Sequence, residues 1–105
     1  MPCEWVDVGA SVELSEARPL AVEFDDVDLI IARCGDRLYA VENRCTHDGQ
    51  SLTGAEIESC EIICPRHGAR FCLRSGEALT PPAYEALRTF NVCEEQGRIL
   101  LERPA

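Results

Sequence analysis

The sequence predicts an all-β fold, a small antiparallel sandwich or barrel, and three observations support this class. Short runs rich in Val, Ile, Leu and Phe recur along the chain, compact turn signals separate them, and no amphipathic helical pattern exceeds a turn or two, near residues 83–88. With 105 residues the chain has room for one core. We therefore expect a single domain, residues 1–105, in which a loop-rich lobe, roughly 43–83, is inserted in a basal β-domain.

Four strands are predicted in the first half of the chain. Their runs contain the β-branched and aromatic residues that are typical of strands. Asp25-Asp26 and Gly35-Asp36 interrupt these runs, and the second pair is typical of a two-residue hairpin turn. The Glu-rich residues 13–18 are predicted to be a connector. The predicted strands are residues 5–8, 20–24, 27–34 and 37–42.

Two loops and a second group of strands are predicted after residue 42. Residues 43–54 and 65–68 are polar and rich in turn formers, so we expect loops there. Pro81-Pro82 lacks backbone donors and forces an extended stretch. A Glu-Gln-Gly turn at residues 95–97 is predicted to close the last hairpin. The predicted strands are residues 57–63, 71–73, 87–93 and 98–102.

The strongly negative charge of the chain disfavours partners that are themselves negatively charged. Ten basic against nineteen acidic residues give a net charge of -9, which repels nucleic acid and anionic membranes. An electropositive protein partner fits this charge better. No apolar run approaches the roughly 20 residues that span a bilayer, and no signal-peptide pattern is present. We expect a cytoplasmic protein.

Seven cysteines in a short chain raise the alternative of a disulfide scaffold. The count is odd, no export signal is present, and two of the cysteines lie beside the only two histidines, so metal binding is favoured. The other five are scattered singly and are expected to act as small apolar residues, mostly in the core. These five are Cys3, Cys34, Cys60, Cys72 and Cys93.

One repeated pattern carries the functional signal. Cys45-Thr46-His47 is followed, after the sixteen residues 48–63, by Cys64-Pro65-Arg66-His67. Each half pairs a thiolate with an imidazole, so four ligands can converge from two loops on one metal centre. A structural zinc ion is one candidate, but zinc fingers usually group Cys with Cys and His with His. The alternating order favours a two-iron cluster, with both cysteines on one iron and both histidines on the other.

These residues resemble the motif of the Rieske [2Fe-2S] family. Further positions fall at the spacing of Rieske ferredoxins, namely Leu52, Gly54, Phe71, Gly76, Pro81, Pro82, Phe90, Val92, Gly97 and Ile99. The resemblance implies one [2Fe-2S] cluster in the lobe of residues 43–83. It also implies that Cys45 and Cys64 bind the inner iron, and that His47 and His67 bind the outer iron near the surface.

Departures from the respiratory branch of the family indicate a subtype. Respiratory members carry two extra cysteines that form a disulfide, where this chain has Gln50 and Arg66. They also carry a Ser and a Tyr that donate hydrogen bonds to cluster and ligand sulfur, where this chain has Ala69 and Phe71. Fewer donors lower the potential, toward the lower end of the range of about -150 to +300 mV. The pattern resembles soluble ferredoxins of bacterial dioxygenase systems.

The resemblance implies an electron-transfer protein with no catalytic residues of its own. It would carry single electrons from a flavin-containing, NAD(P)H-dependent reductase to a terminal non-haem iron oxygenase, as a monomer. The chain has no glycine-rich nucleotide loop and no histidine left over for an oxygenase site. Two alternatives stay open: an accessory ferredoxin for iron-sulfur assembly or redox sensing, and a small subunit of nitrite reductase.

Several side chains near the motif are expected to have modest roles. Asp48 is expected to be a solvated loop carboxylate that can depress the potential slightly. Arg66 and Arg70 are expected to be solvated, with partner contact or compensation of cluster charge as the alternative.

The large aromatic side chains are expected in the core, namely Trp5, Tyr39, Tyr84 and Phe90.

Overall fold

Antiparallel strands dominate the computed structural model, which describes residues 4–15, 18–46, 48–81 and 83–103. The predicted all-β class is confirmed, and the sheets are open. A short 3₁₀ turn, Ser11–Glu13, ends at the first residue of the predicted connector. The strands in the described residues are β1 Glu4–Ala10, β2 Leu20–Phe24, β3 Val27–Cys34, β4 Arg37–Glu42, β5 Glu56–Glu58, β6 Glu61–Ile63, β7 Arg70–Cys72, β8 Thr89–Phe90, β9 Val92–Glu95 and β10 Arg98–Arg103.

The strands form three sheets, with the orders β1-β10-β9, β2-β3-β4-β8 and β5-β6-β7. Among the described residues every strand pair is antiparallel, including the pairs of β1 with β10 and of β4 with β8, which are far apart in the chain. The first two sheets supply most residues of one core, which we call the basal core, and Leu14 joins it from the segment between β1 and β2. Its buried members are Leu14, Phe24, Leu29, Ile31, Leu38, Ala40, Ile99 and Leu101.

A second cluster, the distal core, lies on the other side of β3 and β4. Side chains alternate along a strand, so Leu29 and Ile31 enter the basal core while Ile30 and Ala32 enter the distal core. This double burial explains the unbroken apolar run of β3. The buried members of the distal core are Ile30, Ala32, Val41, Cys45, Leu52, Ala55, Ile62, Cys64, Ala69, Phe71, Leu73, Ala83 and Leu87.

The prediction of one strand over residues 57–63 is wrong. The segment is a hairpin, with Ile57 opposite Ile62 and Glu58 opposite Glu61. Ser59 and Cys60 have φ of 52° and 60°, the left-handed pair that a type I′ turn requires. Neither is Asn, Asp or Gly, the residues that normally mark a type I′ turn, so the sequence offered no signal for it.

The prediction that Cys34 and Cys60 are separate apolar residues is also wrong. They form a disulfide, with their Cα atoms 5.5 Å apart, which joins the end of β3 to the β5–β6 turn. Cys72 and Cys93 are outside this bond and are half-buried. Cys3 lies outside the described residues.

The predicted strand over residues 87–93 is divided between two sheets. Thr89–Phe90 pairs with β4, and Val92–Glu95 pairs with β10. Asn91 marks the change of sheet, where its backbone carbonyl accepts a hydrogen bond from the N–H of Glu102 at 3.0 Å. The continuous apolar pattern could not reveal this division, because both short strands have the same local preference.

Two of the aromatic side chains predicted in the core are exposed. Trp5 is 45% exposed and Tyr84 is 83% exposed. Tyr39 packs against the distal core and Phe90 against the basal core, both half-buried. In the described parts of the chain, no helix has the length and apolar character needed to cross a membrane.

Candidate metal centre

Cys45 and Cys64 begin two loops that have the same hydrogen-bond pattern. The N–H of Cys45 donates to the carbonyl of Gln50 at 2.8 Å, and the N–H of Cys64 donates to the carbonyl of Ala69 at 2.8 Å. In each loop a glycine four residues after the cysteine donates back to its carbonyl, at 2.7 Å from Gly49 and 3.0 Å from Gly68. The two loops are therefore structural equivalents, one after β4 and one after β6.

The glycines allow this loop shape. Gly49 and Gly68 have φ of +74° and +73°, a region that residues with a Cβ rarely adopt. Each loop turns sharply enough to place its cysteine in the distal core, where Cys45 is 0% and Cys64 is 1% exposed. Two thiols from separate loops are thereby shielded from water.

The loops bring the two thiols and one carboxylate together. The sulfur atoms of Cys45 and Cys64 and an oxygen of Asp48 all lie within 4.8 Å of one another. Thiolates are soft ligands that suit iron-sulfur groups and zinc. Asp48 was not among the predicted ligands, and only the folded loops reveal its position.

The two predicted histidine ligands differ in what the structure describes. The side chain of His67 is 41% exposed, and its Nε2 atom lies 3.2 Å from Oδ2 of Asp48. His47 lies outside the described residues. The structure thus brings Cys45 and Cys64 together and places His67 beside the same carboxylate.

Arg66 joins the two loops, so the prediction of a solvated side chain is wrong. Its Nε and Nη2 atoms donate to the two carboxylate oxygens of Asp48 at 2.9 and 3.1 Å. Its Nη1 atom donates to the carbonyl of Ser51 at 2.7 Å. Only 28% of the Arg66 side chain and 16% of the Asp48 side chain are exposed. A salt bridge therefore connects the two loops. One of its members, Arg66, stands where the resemblance places a disulfide cysteine in respiratory Rieske proteins.

The electrostatics of this pair follow from its hydrogen bonds. Arg66, and then the backbone N–H of Gln50, hold the pKa of Asp48 well below its usual range. The hydrogen bond to Asp48 raises the pKa of Arg66, and the nearby sulfurs of Cys64 and Cys45 raise it further. Asp48 is thus a persistent anion rather than the freely solvated carboxylate that the sequence suggested.

Arg70 belongs to the sheet of β5, β6 and β7. It donates to Glu58 at 2.9 Å and to Glu61 at 3.2 Å. These two hydrogen bonds raise the pKa of Arg70, that from Glu58 first. Its charge is therefore offset within the sheet, contrary to the expectation of a solvated side chain.

The first loop is anchored by Asn43, which sequence reasoning missed. The Oδ1 atom of Asn43 accepts from the N–H of Leu52 at 2.6 Å and from the hydroxyl of Ser51 at 3.1 Å. Its Nδ2 atom donates to the hydroxyl of Thr53 at 2.9 Å. The available signal was an amide residue at the start of a turn-rich stretch, where such side chains bond to nearby backbone.

The loop surroundings fit a thiolate-bound iron-sulfur group. Ala69 and Phe71, at the positions of the respiratory hydroxyl donors, are fully buried and supply no side-chain donor. Within the described residues, no buried side-chain nitrogen or oxygen lacks a hydrogen-bond partner. The two shielded thiols are therefore the main ligands that the two loops offer in the distal core, and sulfur is the donor such a group needs.

Comparison with known proteins identifies the same family as the sequence motif. The Rieske [2Fe-2S] domain family matches residues 4–91. The ferredoxin component of the naphthalene 1,2-dioxygenase system of Pseudomonas aeruginosa is 30% identical over 99 residues, which are 94% of this chain and 95% of that protein.

Two solved structures share the fold over most of the chain. The ferredoxin of carbazole 1,9a-dioxygenase from Nocardioides aromaticivorans IC177 matches with a TM-score of 0.86 and 30% identity, covering 92% of this chain and 95% of that one. A chain of the complex of reduced oxygenase and oxidized ferredoxin in carbazole 1,9a-dioxygenase matches with a TM-score of 0.83 and 28% identity, covering 92% and 91%.

Proposed function

Because the chain belongs to the Rieske [2Fe-2S] family, we propose that it is a one-electron carrier whose cluster is held by Cys45, His47, Cys64 and His67. The observation that carries this proposal is the convergence of two buried thiols from structurally equivalent loops. When bound, the cluster supplies a one-electron redox couple. The role is that of an electron carrier rather than an enzyme.

The two cysteines are shielded from water, whereas one of the proposed histidine ligands is partly exposed. Cys45 and Cys64 lie in the distal core, where water cannot reach their sulfur atoms. His67 has a partly exposed ring, which supports a route for electrons at the surface. The ion pair of Asp48 and Arg66 joins the two loops beside this site.

We propose that residues 43–83 act as the cluster-binding lobe of one domain. The support comes from strand pairing: β4 ends at Glu42, and β8 pairs with it when the chain returns, Val41 opposite Thr89. The intervening segment is thus inserted between two neighbouring strands of one sheet. It contains both cysteine loops and β5, β6 and β7.

We infer that the electron acceptor is a terminal non-haem iron oxygenase. The relative from Pseudomonas aeruginosa is a ferredoxin component of a dioxygenase system, and the carbazole complex contains an oxygenase and a ferredoxin. As electron donor we propose a flavin-containing, NAD(P)H-dependent reductase, and as oligomeric state a monomer. The net charge of -9 supports docking on basic surfaces, weakened by salt.

A cytoplasmic location stays a prediction. The disulfide of Cys34 and Cys60 opposes it, because disulfides are rare in the reducing cytoplasm. Thiol alkylation of the protein before cell lysis would show which redox state exists in the cell.

The cofactor proposal is tested by metal analysis and EPR spectroscopy of the dithionite-reduced protein. Iron and acid-labile sulfide in equal amounts, with the low average g value of a Rieske centre, are the expected result. Cys45→Ser and Cys64→Ser should lose the signal, whereas Cys93→Ser, a matched change at a half-buried cysteine of β9, should keep it. His67→Cys should alter the spectrum. A protein that holds zinc, or a Cys64→Ser variant with the full signal, would refute the assignment.

The carrier role is tested by reconstitution with purified reductase and oxygenase. Oxygenase turnover should depend on the loaded protein and should slow as salt rises, because charge steering is screened. Turnover that proceeds equally well without the protein would contradict the role.

A further inference from the structure

The carboxylate of the Asp48–Arg66 ion pair lies beside three of the proposed ligands. One oxygen of Asp48 is within 4.8 Å of the sulfurs of Cys45 and Cys64. Its Oδ2 atom is 3.2 Å from Nε2 of His67 and also accepts from Nε of Arg66 at 2.9 Å. One carboxylate therefore faces three of the proposed ligands and one cation.

We propose that Asp48 and Arg66 set the reduction potential of the centre in opposite directions, with Asp48 lowering it and Arg66 raising it. The proposal rests on the proposed function and assigns these residues a tuning role beside the ligands. Neither residue is a ligand in it. Both act through their charge on the thiolates and the imidazole.

The direction of each effect follows from the charge of the added electron. Reduction adds one negative charge to the site, so a nearby carboxylate opposes reduction and a nearby guanidinium favours it. Solvent screens these charges less than fully exposed ones, because 16% of the Asp48 side chain and 28% of the Arg66 side chain are exposed. The wild-type pair is close to neutral in sum, since each charge compensates the other.

A purely mechanical role would produce a different result. If the pair only holds the loops together, removal of either partner breaks the same contact and changes the site in the same way. Opposite shifts of the potential in the two single variants distinguish the charge effect from this mechanical effect.

The chain contains a matched control pair. Arg98 donates to Asp7 through Nε and Nη2 at 2.8 and 2.9 Å, the same two-bond geometry. Asp7 and Arg98 lie on β1 and β10, which supply no described residue of the distal core. Variants of this pair lose an ion pair of the same type away from the cysteine loops.

The experiment measures the midpoint potential of the loaded protein by spectroelectrochemistry at pH 7 and low salt. Asp48→Asn should have a higher potential than the wild type, and Arg66→Met a lower one. The double variant should return close to the wild type, since both charges are absent. Asp7→Asn and Arg98→Met should leave the potential unchanged. Shifts of the same sign in Asp48→Asn and Arg66→Met, or shifts no larger than those of the control pair, would overturn the inference.

Arg66→Lys gives a second test that does not need the Asp48 variant. Lysine keeps the positive charge but loses the paired hydrogen bonds of the guanidinium. The potential of Arg66→Lys should lie closer to the wild type than that of Arg66→Met, and equal potentials in the two variants would contradict the charge effect. A wild-type protein without a Rieske EPR signal would refute the proposed function itself. If the protein carries the cluster but its potential is the same in Asp48→Asn, Arg66→Met and the wild type, only this inference is refuted.

Discussion

Gly76 and Leu87 are in direct backbone contact. The N–H of Leu87 donates to the carbonyl of Gly76 at 2.8 Å, and a Cβ placed on Gly76 would collide with the carbonyl oxygen of Leu87. Gly76 follows β7, and Leu87 precedes β8. This contact therefore fastens the end of the returning segment against the sheet of β5, β6 and β7.

Gly76→Ala should destabilise the protein by about 2–4 kcal/mol, from overpacking and from left-handed backbone strain together. Gly97→Ala is the matched control, because both glycines have a φ of +78° and nothing lies within 4 Å of a Cβ on Gly97. It should cost about 1 kcal/mol, from strain alone. Urea denaturation of both variants measures the difference, and equal losses would contradict the collision.

Removal of the disulfide should lower stability substantially. Loop-closure entropy for a separation of 26 residues corresponds to about 3.5 kcal/mol in the chain-entropy treatment. Cys34→Ser, Cys60→Ser and the wild type in dithiothreitol should therefore unfold at lower urea concentration. Cys93→Ser should not. If the oxidised and reduced forms unfold together, the bond is not formed in solution or does not constrain the unfolded chain.

Asn43→Ala should loosen the first cysteine loop. The change leaves the buried N–H of Leu52 without its acceptor, at a cost of about 1–3 kcal/mol. The visible absorbance of the loaded protein should then decay faster in the presence of a chelator. Asn91→Ala, which removes a side-chain hydrogen bond to Glu102 instead, should decay at the wild-type rate. A Leu52 N–H that finds another acceptor would leave the decay of Asn43→Ala unchanged.

Cys72 should react with iodoacetamide faster than Cys93 at pH 7. The hydrogen bond from Ser75 lowers the pKa of Cys72, whereas burial raises the pKa of Cys93. The thiolate is the reactive form, and both residues are half-buried. Peptide mass spectrometry of timed samples gives both rates, and Ser75→Ala should slow Cys72 alone. The reverse order of reaction would show that access, not thiolate content, controls the rates.

Acid should weaken the protein through its surface ion pairs. Arg103 holds the pKa of Asp25 below its ordinary value, so this group contributes stability above the unfolded pKa of about 3.9. That contribution is lost as the pH falls through the folded pKa. The loss of stability from pH 6 to pH 3 should be smaller in Asp25→Asn than in the wild type. Asp36→Asn, at an exposed turn, should retain the wild-type loss, and an unchanged loss in both variants would contradict the assignment.

The local sequence pattern was sufficient to predict several strands of the fold. The bounds predicted for β2, β3 and β4 match the structure, because β-branched runs and the turns at Asp25-Asp26 and Gly35-Asp36 are properties of neighbouring residues. The family was likewise predicted from Cys45, Cys64 and the histidines that follow them, since a ligand motif is read along the chain.

The tertiary structure decided the features that depend on distant neighbours. The disulfide needs Cys34 and Cys60 to meet from two sheets, and the exposure of Tyr84 depends on what the rest of the chain leaves uncovered. The pairing of Asp48 with Arg66 likewise appears only when two separate loops are side by side. Sequence by itself determined the all-β class, the bounds of three strands and the family, because these depend on short-range periodicity and residue type. Packing between segments far apart in the chain decided which charges and thiols meet.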